Sequence, residues 1–62
     1  MFSINSIIGM AEEQAIMILK LNAVNYRIVE KNGKGRIRTD DIQKTRVNLV
    51  ITNDKVSQAY RG

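Results

Sequence analysis

The strongest strand signal in the chain is Thr-Arg-Val-Asn-Leu-Val-Ile, residues 45–51. This run is rich in β-branched side chains, which favour extended strands. It overlaps the end of residues 35–48, a stretch in which polar side chains dominate and which runs straight into the apolar residues of the strand. Because loops that carry function are usually presented by a rigid scaffold, we expect the strand to belong to the scaffold and the polar stretch to carry the function.

A helix is predicted over residues 11–22, which are good helix formers without glycine or proline. Glu12 and Glu13 would stand near its positive end, where carboxylates are favourable. One face should pack on a sheet, because five of its residues recur at helical spacing: Ala11, Ala15, Ile18, Leu19 and Asn22.

The opposite face of this helix is unusually apolar. Met17 and Leu21 are four residues apart, with Ile16 at the boundary, where a solvated helix would carry charged side chains. Stray apolar groups are common on any protein surface. The alternative interpretation is a contact patch for another protein or for a second copy of the chain, which would make a homodimer.

Residues 25–31 alternate in character and predict a second strand. The expected sides are Tyr26, Ile28 and Glu30 on one and Arg27, Val29 and Lys31 on the other. By local rules, Asn32-Gly33 predicts a tight hairpin into residues 36–39. Without that hairpin, residues 32–44 would form a long connection, and such connections in compact domains are usually functional or disordered.

Residues 53–54, Asn-Asp, predict a turn, and residues 55–60 predict a returning strand. The order of elements is then helix, strand, exposed segment, strand, turn and strand. We predict one α+β domain over residues 1–62, with the helix on one face of a small sheet. A chain of 62 residues buries only about 60% of the surface of its unfolded form, so its stability margin is thin.

The composition restricts the chemistry that the chain can perform. It has no cysteine and no histidine, which excludes disulfides, thiol metal sites and a conventional catalytic triad. Asp40 and Asp41 are adjacent, so in an extended segment their side chains point to opposite sides and cannot face one substrate together. We therefore expect no catalytic residue, no metal and no cofactor, and a function other than that of an enzyme.

Location and charge give weaker expectations. Residues 1–9 lack the basic start of a signal peptide, and the longest apolar-rich run is too short to cross a membrane, so we expect a cytoplasmic protein without membrane contact. The net charge of +4 raises the question of nucleic acid. Nucleic acid is a distant third choice, because aromatic residues are few and Asp40 and Asp41 would repel phosphate.

Three short motifs follow one another along the chain: Gly9-x-x-x-Glu13-x-Ala15, Gly35-x-Ile37-x-Thr39-Asp40-Asp41 and Arg46-Val47-x-Leu49. Their order and spacing together resemble the potato inhibitor I family of serine-protease inhibitors, which includes barley chymotrypsin inhibitors, the eglins and small bacterial relatives. The resemblance covers the chain from about Ile4 to Gly62.

The resemblance implies a helix packed on a small mixed sheet, with an extended, exposed binding loop between two parallel central strands. Thr39 would precede the specificity residue Asp40, and the Asp40–Asp41 bond would be offered to the protease. The implied binding loop comprises Arg36, Ile37, Arg38, Thr39, Asp40, Asp41, Ile42, Gln43 and Lys44.

The resemblance also implies a set of residues that support the loop. Arg46 would brace it from beneath by charge-assisted hydrogen bonds. Asn48 stands where the family often has a second arginine, and it can donate through its amide without charge. Independently of the resemblance, Gly35 would give the backbone freedom where the loop departs, and Gly62 would let its carboxylate approach Arg46.

Two functions of different class follow. The first is inhibition of a serine protease that tolerates an acidic residue, since Asp40 replaces the large apolar side chains that chymotrypsin-like and subtilisin-like pockets favour. The second is a non-inhibitory protein-binding module that works through the Met17/Leu21 face, the loop or both. In a plainer interpretation Thr39 and Arg46 are surface residues beside a strand, and Asp40-Asp41 is a turn or helix cap.

Overall fold

The computed structural model describes residues 2–35 and 43–62 of the chain. These residues form a 3-10 helix (Ile4–Ile7) and a ten-residue helix α1 (Glu12–Leu21). The strands are β1 (Tyr26–Lys31), β2 (Lys34–Gly35), β3 (Val47–Thr52) and β4 (Lys55–Arg61), in one sheet of order β2-β1-β3-β4. The predicted α+β class is confirmed: α1 packs on one face of a small mixed sheet.

The two central strands run in the same direction. β1 and β3 pair in parallel, with Tyr26 opposite Val47 and Ile28 opposite Leu49, while β2 and β4 pair antiparallel on the outside. The predicted parallel central pair is therefore confirmed. The connection that joins this pair includes residues 36–42, so the predicted extended, exposed loop lies for the most part outside the described residues.

β3 forms the centre of the hydrophobic core. Val47, Leu49 and Ile51 alternate along it and are each 0% exposed. They pack with Ile7 from the 3-10 helix, Ala15 and Leu19 from α1, and Val56 from β4. The helix face predicted to meet the sheet is correct at its centre and wrong at its ends. Ala11 and Asn22 are exposed because α1 begins at Glu12 and ends at Leu21.

Both strand hairpins contain a two-residue turn with left-handed backbone. Asn32 and Gly33 have φ of 52° and 81°, and Asn53 and Asp54 have φ of 52° and 62°. Positive φ at both central positions is the geometry whose twist matches antiparallel strands. The Asn32-Gly33 turn predicted from the sequence is present, but its described returning strand is Lys34–Gly35. The predicted pairing of residues 36–39 falls outside the described residues.

An irregularity in β1 overturns part of the predicted alternation. The register with β3 shifts between Ile28 and Glu30, so that Lys31 lies opposite the core residue Ile51. Lys31 therefore lies on the helix side, where its Nζ is 3.1 Å from Glu12 Oε1. The prediction that Glu30 shares a side with Tyr26 and Ile28 was wrong because a bulge inserts one residue and reverses the alternation beyond it.

The position of β3 in the core predicts a large difference between two leucines. Leu49→Ala should lower the free energy of unfolding by about 2–5 kcal/mol, because it removes a fully buried side chain and leaves a cavity. Leu21 is 79% exposed, so Leu21→Ala should change stability by less than about 0.5 kcal/mol. Urea unfolding followed by circular dichroism measures both; equal losses would contradict the assignment of the core.

Candidate functional site

A tight turn delivers the chain into β3. The Arg46 amide donates to the Gln43 carbonyl at 3.0 Å, which closes the turn over residues 43–46. Gln43, Lys44 and Thr45 are exposed, whereas Arg46 is only 8% exposed. The strand predicted to start at Thr45 therefore starts at Val47, because this turn occupies the two residues before it.

The last residues of the chain fasten this turn to the sheet. The Gly62 amide donates to the Arg46 carbonyl at 3.1 Å, and Arg61 Nη1 donates to the Thr45 carbonyl at 3.2 Å. These bonds continue the β3–β4 pairing past the ends of both strands. The turn is consequently held by backbone and side-chain bonds at once.

The Arg46 side chain lies against Gly62. Its Nε and Nη2 donate to the Gly62 oxygen at 3.3 Å and 3.1 Å. The contact between Gly62 and Arg46 expected from the sequence is present. A fork of two donors on one acceptor restricts the guanidinium plane, so the side chain has a defined orientation at the entry to β3.

Asn48 is the second polar residue buried in the sheet, at 1% exposure. Its Oδ1 accepts from Arg27 Nε at 2.6 Å. Its Nδ2 donates to the Tyr60 carbonyl at 3.3 Å and to the Gly62 oxygen at 3.2 Å. The predicted donor role of this amide is present, and its described acceptors are at the end of β4 and at Gly62.

Sequence reasoning did not assign a role in the site to Arg27. The parallel register places Arg27 directly opposite Asn48, and strand partners on the same face of a sheet interact. The only sequence signal is that both residues occupy alternating positions of their strands. That signal does not predict a contact between Arg27 and Asn48 unless the register between β1 and β3 is known.

The two glycines predicted for the site, Gly35 and Gly62, differ in their backbone conformation. Gly62 has φ of +152°, which favours glycine, whereas a Cβ there would make only an ordinary contact with Asn48 Nδ2, at 3.4 Å. Gly35 pairs with Glu30 in β2 and is not among the residues with positive φ. A Cβ at Gly35 would meet nothing within 4 Å. The conformational freedom expected of Gly35 is not used.

Most of the predicted binding loop cannot be placed in this site. Seven of its residues lie outside the described part of the chain: Arg36, Ile37, Arg38, Thr39, Asp40, Asp41 and Ile42. Gln43 and Lys44 are described and stand exposed on the turn that precedes Arg46. The structure brings together three of the four residues predicted to support the loop, Arg46, Asn48 and Gly62, and adds Arg27.

The outward face of α1 is a separate candidate surface. Met17 is 61% exposed and Leu21 is 79% exposed, whereas Ile16 is half-buried. This agrees with the predicted positions of the three side chains around the helix. The face is on the side of α1 away from Ala15 and Leu19, which pack on the sheet.

Acidic residues line a hollow at the start of α1, but they do not form a metal site. Glu12, Glu13 and Asp54 border it together with Lys31, whose ammonium group contacts Glu12. Within residues 2–35 and 43–62, no group of three or more His, Cys, Asp or Glu side chains could hold a metal ion. In the same residues, no helix has the length and apolar character needed to cross a membrane.

The chain matches no protein-family model, no curated protein and no solved structure. Its resemblance to the potato inhibitor I family therefore stays an interpretation of the motifs in the sequence.

Burial of the Asn48 amide predicts a measurable loss on truncation. Asn48→Ala should lower the free energy of unfolding by about 1–3 kcal/mol, because two carbonyl oxygens lose a donor and Arg27 loses its acceptor. Asn5→Ala is the matched control, since Asn5 is exposed, and it should change stability by less than about 0.5 kcal/mol. Equal unfolding midpoints in urea would contradict the role given to Asn48.

Proposed function

We propose that the protein inhibits a serine protease by presenting residues 36–44 as a substrate-like segment, with Asp40–Asp41 as the reactive bond. The observation that carries the proposal is the placement of Arg46. It is buried, oriented by two hydrogen bonds to Gly62, and located where the segment enters β3. A cation fixed there is suited to hold the acceptor groups of Thr39 and Asp41, as the resemblance implies.

Anchoring at both ends of the segment supports the same function. On one side Gly35 pairs with Glu30 of β1. On the other, the turn over residues 43–46 is bonded to Gly62 and leads into β3. A binding segment held in place before it meets its target loses little entropy on binding, so more of its contact energy appears as affinity.

The same anchoring would make an inhibitor of this kind resistant to net cleavage by its target. If a protease cut Asp40–Asp41, the two pieces would still be joined through the parallel pairing of β1 with β3. The cut ends would therefore stay close together, and this proximity favours resealing of the bond.

Asp40 defines the class of target within this proposal. A carboxylate without a partner is costly to bury in an apolar pocket. An Arg, Lys or His side chain in the pocket would compensate it by a charge-assisted hydrogen bond. The partner is then a serine protease that cleaves after acidic residues. The proposed location is cytoplasmic, as expected from the sequence.

The proposal predicts that the purified protein slows an acid-specific serine protease at micromolar concentration. Asp40→Arg should redirect inhibition toward trypsin-like enzymes, whose pocket carries an aspartate. Glu13→Arg is the matched control, because it makes the same charge change on the exposed surface of α1, and it should leave the target unchanged. Progress curves with a chromogenic substrate measure each inhibition constant.

The inhibition assay should be repeated with a panel of serine proteases that includes intracellular and secreted enzymes of several specificities. Failure of the wild-type protein to slow any of them at micromolar concentration would overturn the proposal. Redirection by Glu13→Arg as well as by Asp40→Arg would show that net charge, and not the reactive bond, determines the target.

A second candidate function is self-association through α1, favoured by the exposure of Met17 and Leu21. Two antiparallel copies of α1 crossing at Met17 would bring Glu13 of one copy level with Lys20 of the other. Glu13 is four residues before Met17 and Lys20 is three after, so their axial positions differ by only about 1.5 Å. One ten-residue helix is a small contact by the standard of stable interfaces, so the association should be weak.

This second candidate predicts a molar mass that rises with concentration. Light scattering coupled to size exclusion should show dimer formation at high micromolar concentration, and Met17→Lys and Leu21→Lys should abolish it. Ser57→Lys, an exposed change on β4, serves as a charge-matched control. A wild-type mass that stays monomeric throughout would remove this candidate.

A further inference from the structure

We propose that Arg27 is a positioning residue, which orients the Asn48 amide and through it holds Gly62 in the place where Arg46 donates to it. The inference deepens the proposed function and depends on it only for its effect on a protease. The contacts themselves stand independently of any target.

The first contact joins two central strands. Arg27 Nε donates to Asn48 Oδ1 at 2.6 Å, within a pair of residues that the parallel register places opposite each other. The donor is cationic, and such hydrogen bonds are shorter and stronger than those between neutral groups. Because Asn48 is buried, water cannot easily replace Arg27 as the donor.

The second step is the orientation of the amide. With Oδ1 directed at Arg27, the Asn48 NH2 group faces the Tyr60 and Gly62 oxygens, to which it donates. The opposite orientation would place Oδ1 against two carbonyl oxygens and the NH2 group against the guanidinium. Every contact of the amide would then be repulsive. Arg27 therefore contributes to the choice of one orientation over the other.

The third step concerns the Gly62 oxygen, which accepts hydrogen bonds from Asn48 in β3 and from Arg46 just before it. The Gly62 oxygen accepts from Asn48 Nδ2 at 3.2 Å and from Arg46 Nε and Nη2 at 3.3 Å and 3.1 Å. A group that fixes this oxygen also fixes one of the acceptors of Arg46. Arg27 thus acts on Arg46 through Asn48 and Gly62. None of the described hydrogen bonds joins Arg27 to Arg46 directly.

The charge of Arg27 is available for this role. In the described part of the chain, the ion pair within 4.0 Å is that of Lys31 with Glu12, and the described acceptor of Arg27 is the Asn48 oxygen. Arg27 is half-buried, which strengthens a charged hydrogen bond relative to one at a fully solvated site.

The test compares three variants of the full chain by nuclear magnetic resonance. Arg27→Met keeps an apolar stem and removes the donor, Arg27→Gln keeps a neutral donor, and Arg27→Lys keeps the charge. In Arg27→Met the Arg46 Nε–H and the Gly62 amide should exchange with water about tenfold faster, which corresponds to about 1.4 kcal/mol. Arg27→Lys should restore most of the protection, and Arg27→Gln should lie between the two.

A core amide provides the internal control. The Leu49 amide reports the global unfolding of the sheet, so its change gives the part of the effect that is due to lower stability. Faster exchange at Arg46 and Gly62 beyond that at Leu49 supports the positioning role. Equal acceleration at all three sites, or no change at Arg46 and Gly62, would overturn it. If Arg27→Met does not fold, the comparison of Arg27→Lys with Arg27→Gln gives the same decision.

A cleavage assay with a protease tests the role of Arg27 separately from the proposed function. With an acid-specific serine protease that the wild-type protein slows, Arg27→Met should be cut at Asp40–Asp41 about tenfold faster, and Lys55→Met, an exposed control outside both candidate surfaces, at the wild-type rate. An unchanged cleavage rate would overturn the effect on the target. If no protease is slowed by the wild-type protein, the proposed function fails, while the exchange experiment still decides the role of Arg27.

Discussion

The oxygen of Gly62 is the acceptor on which the arrangement of the candidate site depends. Arg46 and Asn48, two residues apart on the way into β3, both donate to it. The Gly62 amide in turn donates to the Arg46 carbonyl. Because both side chains are buried, each needs hydrogen-bond partners inside the protein, and this oxygen is an acceptor that they share. The end of β4, the start of β3 and the turn before it therefore form one connected unit.

This unit matters because the rest of the domain is small. The apolar core comes chiefly from β3, one face of α1 and the 3-10 helix, and a chain of 62 residues has little further apolar surface to bury. By alternation along the strands, Arg27 and Asn48 lie on the face of the sheet opposite the core residues Val47 and Leu49. Polar groups in such a place stabilise only when every donor finds an acceptor, and within the described residues no buried side-chain nitrogen or oxygen lacks a partner.

The sequence predicted the elements well and the contacts between them less well. Alternation identified β1, β-branched side chains identified β3, and Asn32-Gly33 and Asn53-Asp54 identified two turns, because these signals are local. The bulge after Ile28 leaves no local signal, so the side taken by Lys31 could not be predicted. The contact of Arg27 with Asn48 depends on a parallel register, which no short turn sets. The approach of Gly62 to Arg46 was expected from the sequence, while Thr39, Asp40 and Asp41 lie outside the described residues.

The hydrogen bonds of Gly62, Arg46 and Asn48 lie at the start of β3, which follows the proposed reactive bond in the chain, and the central claim is that they keep the two sides of Asp40–Asp41 together. The most direct measurement starts from protein already cut at Asp40–Asp41 and incubates it with a catalytic amount of an acid-specific serine protease. Mass spectrometry follows the ratio of intact to cut chains. The account predicts that intact protein reappears, and that the ratio reached is the same when the incubation starts from uncut protein. Cut protein that never reseals, with complete cleavage of the intact form, would contradict it.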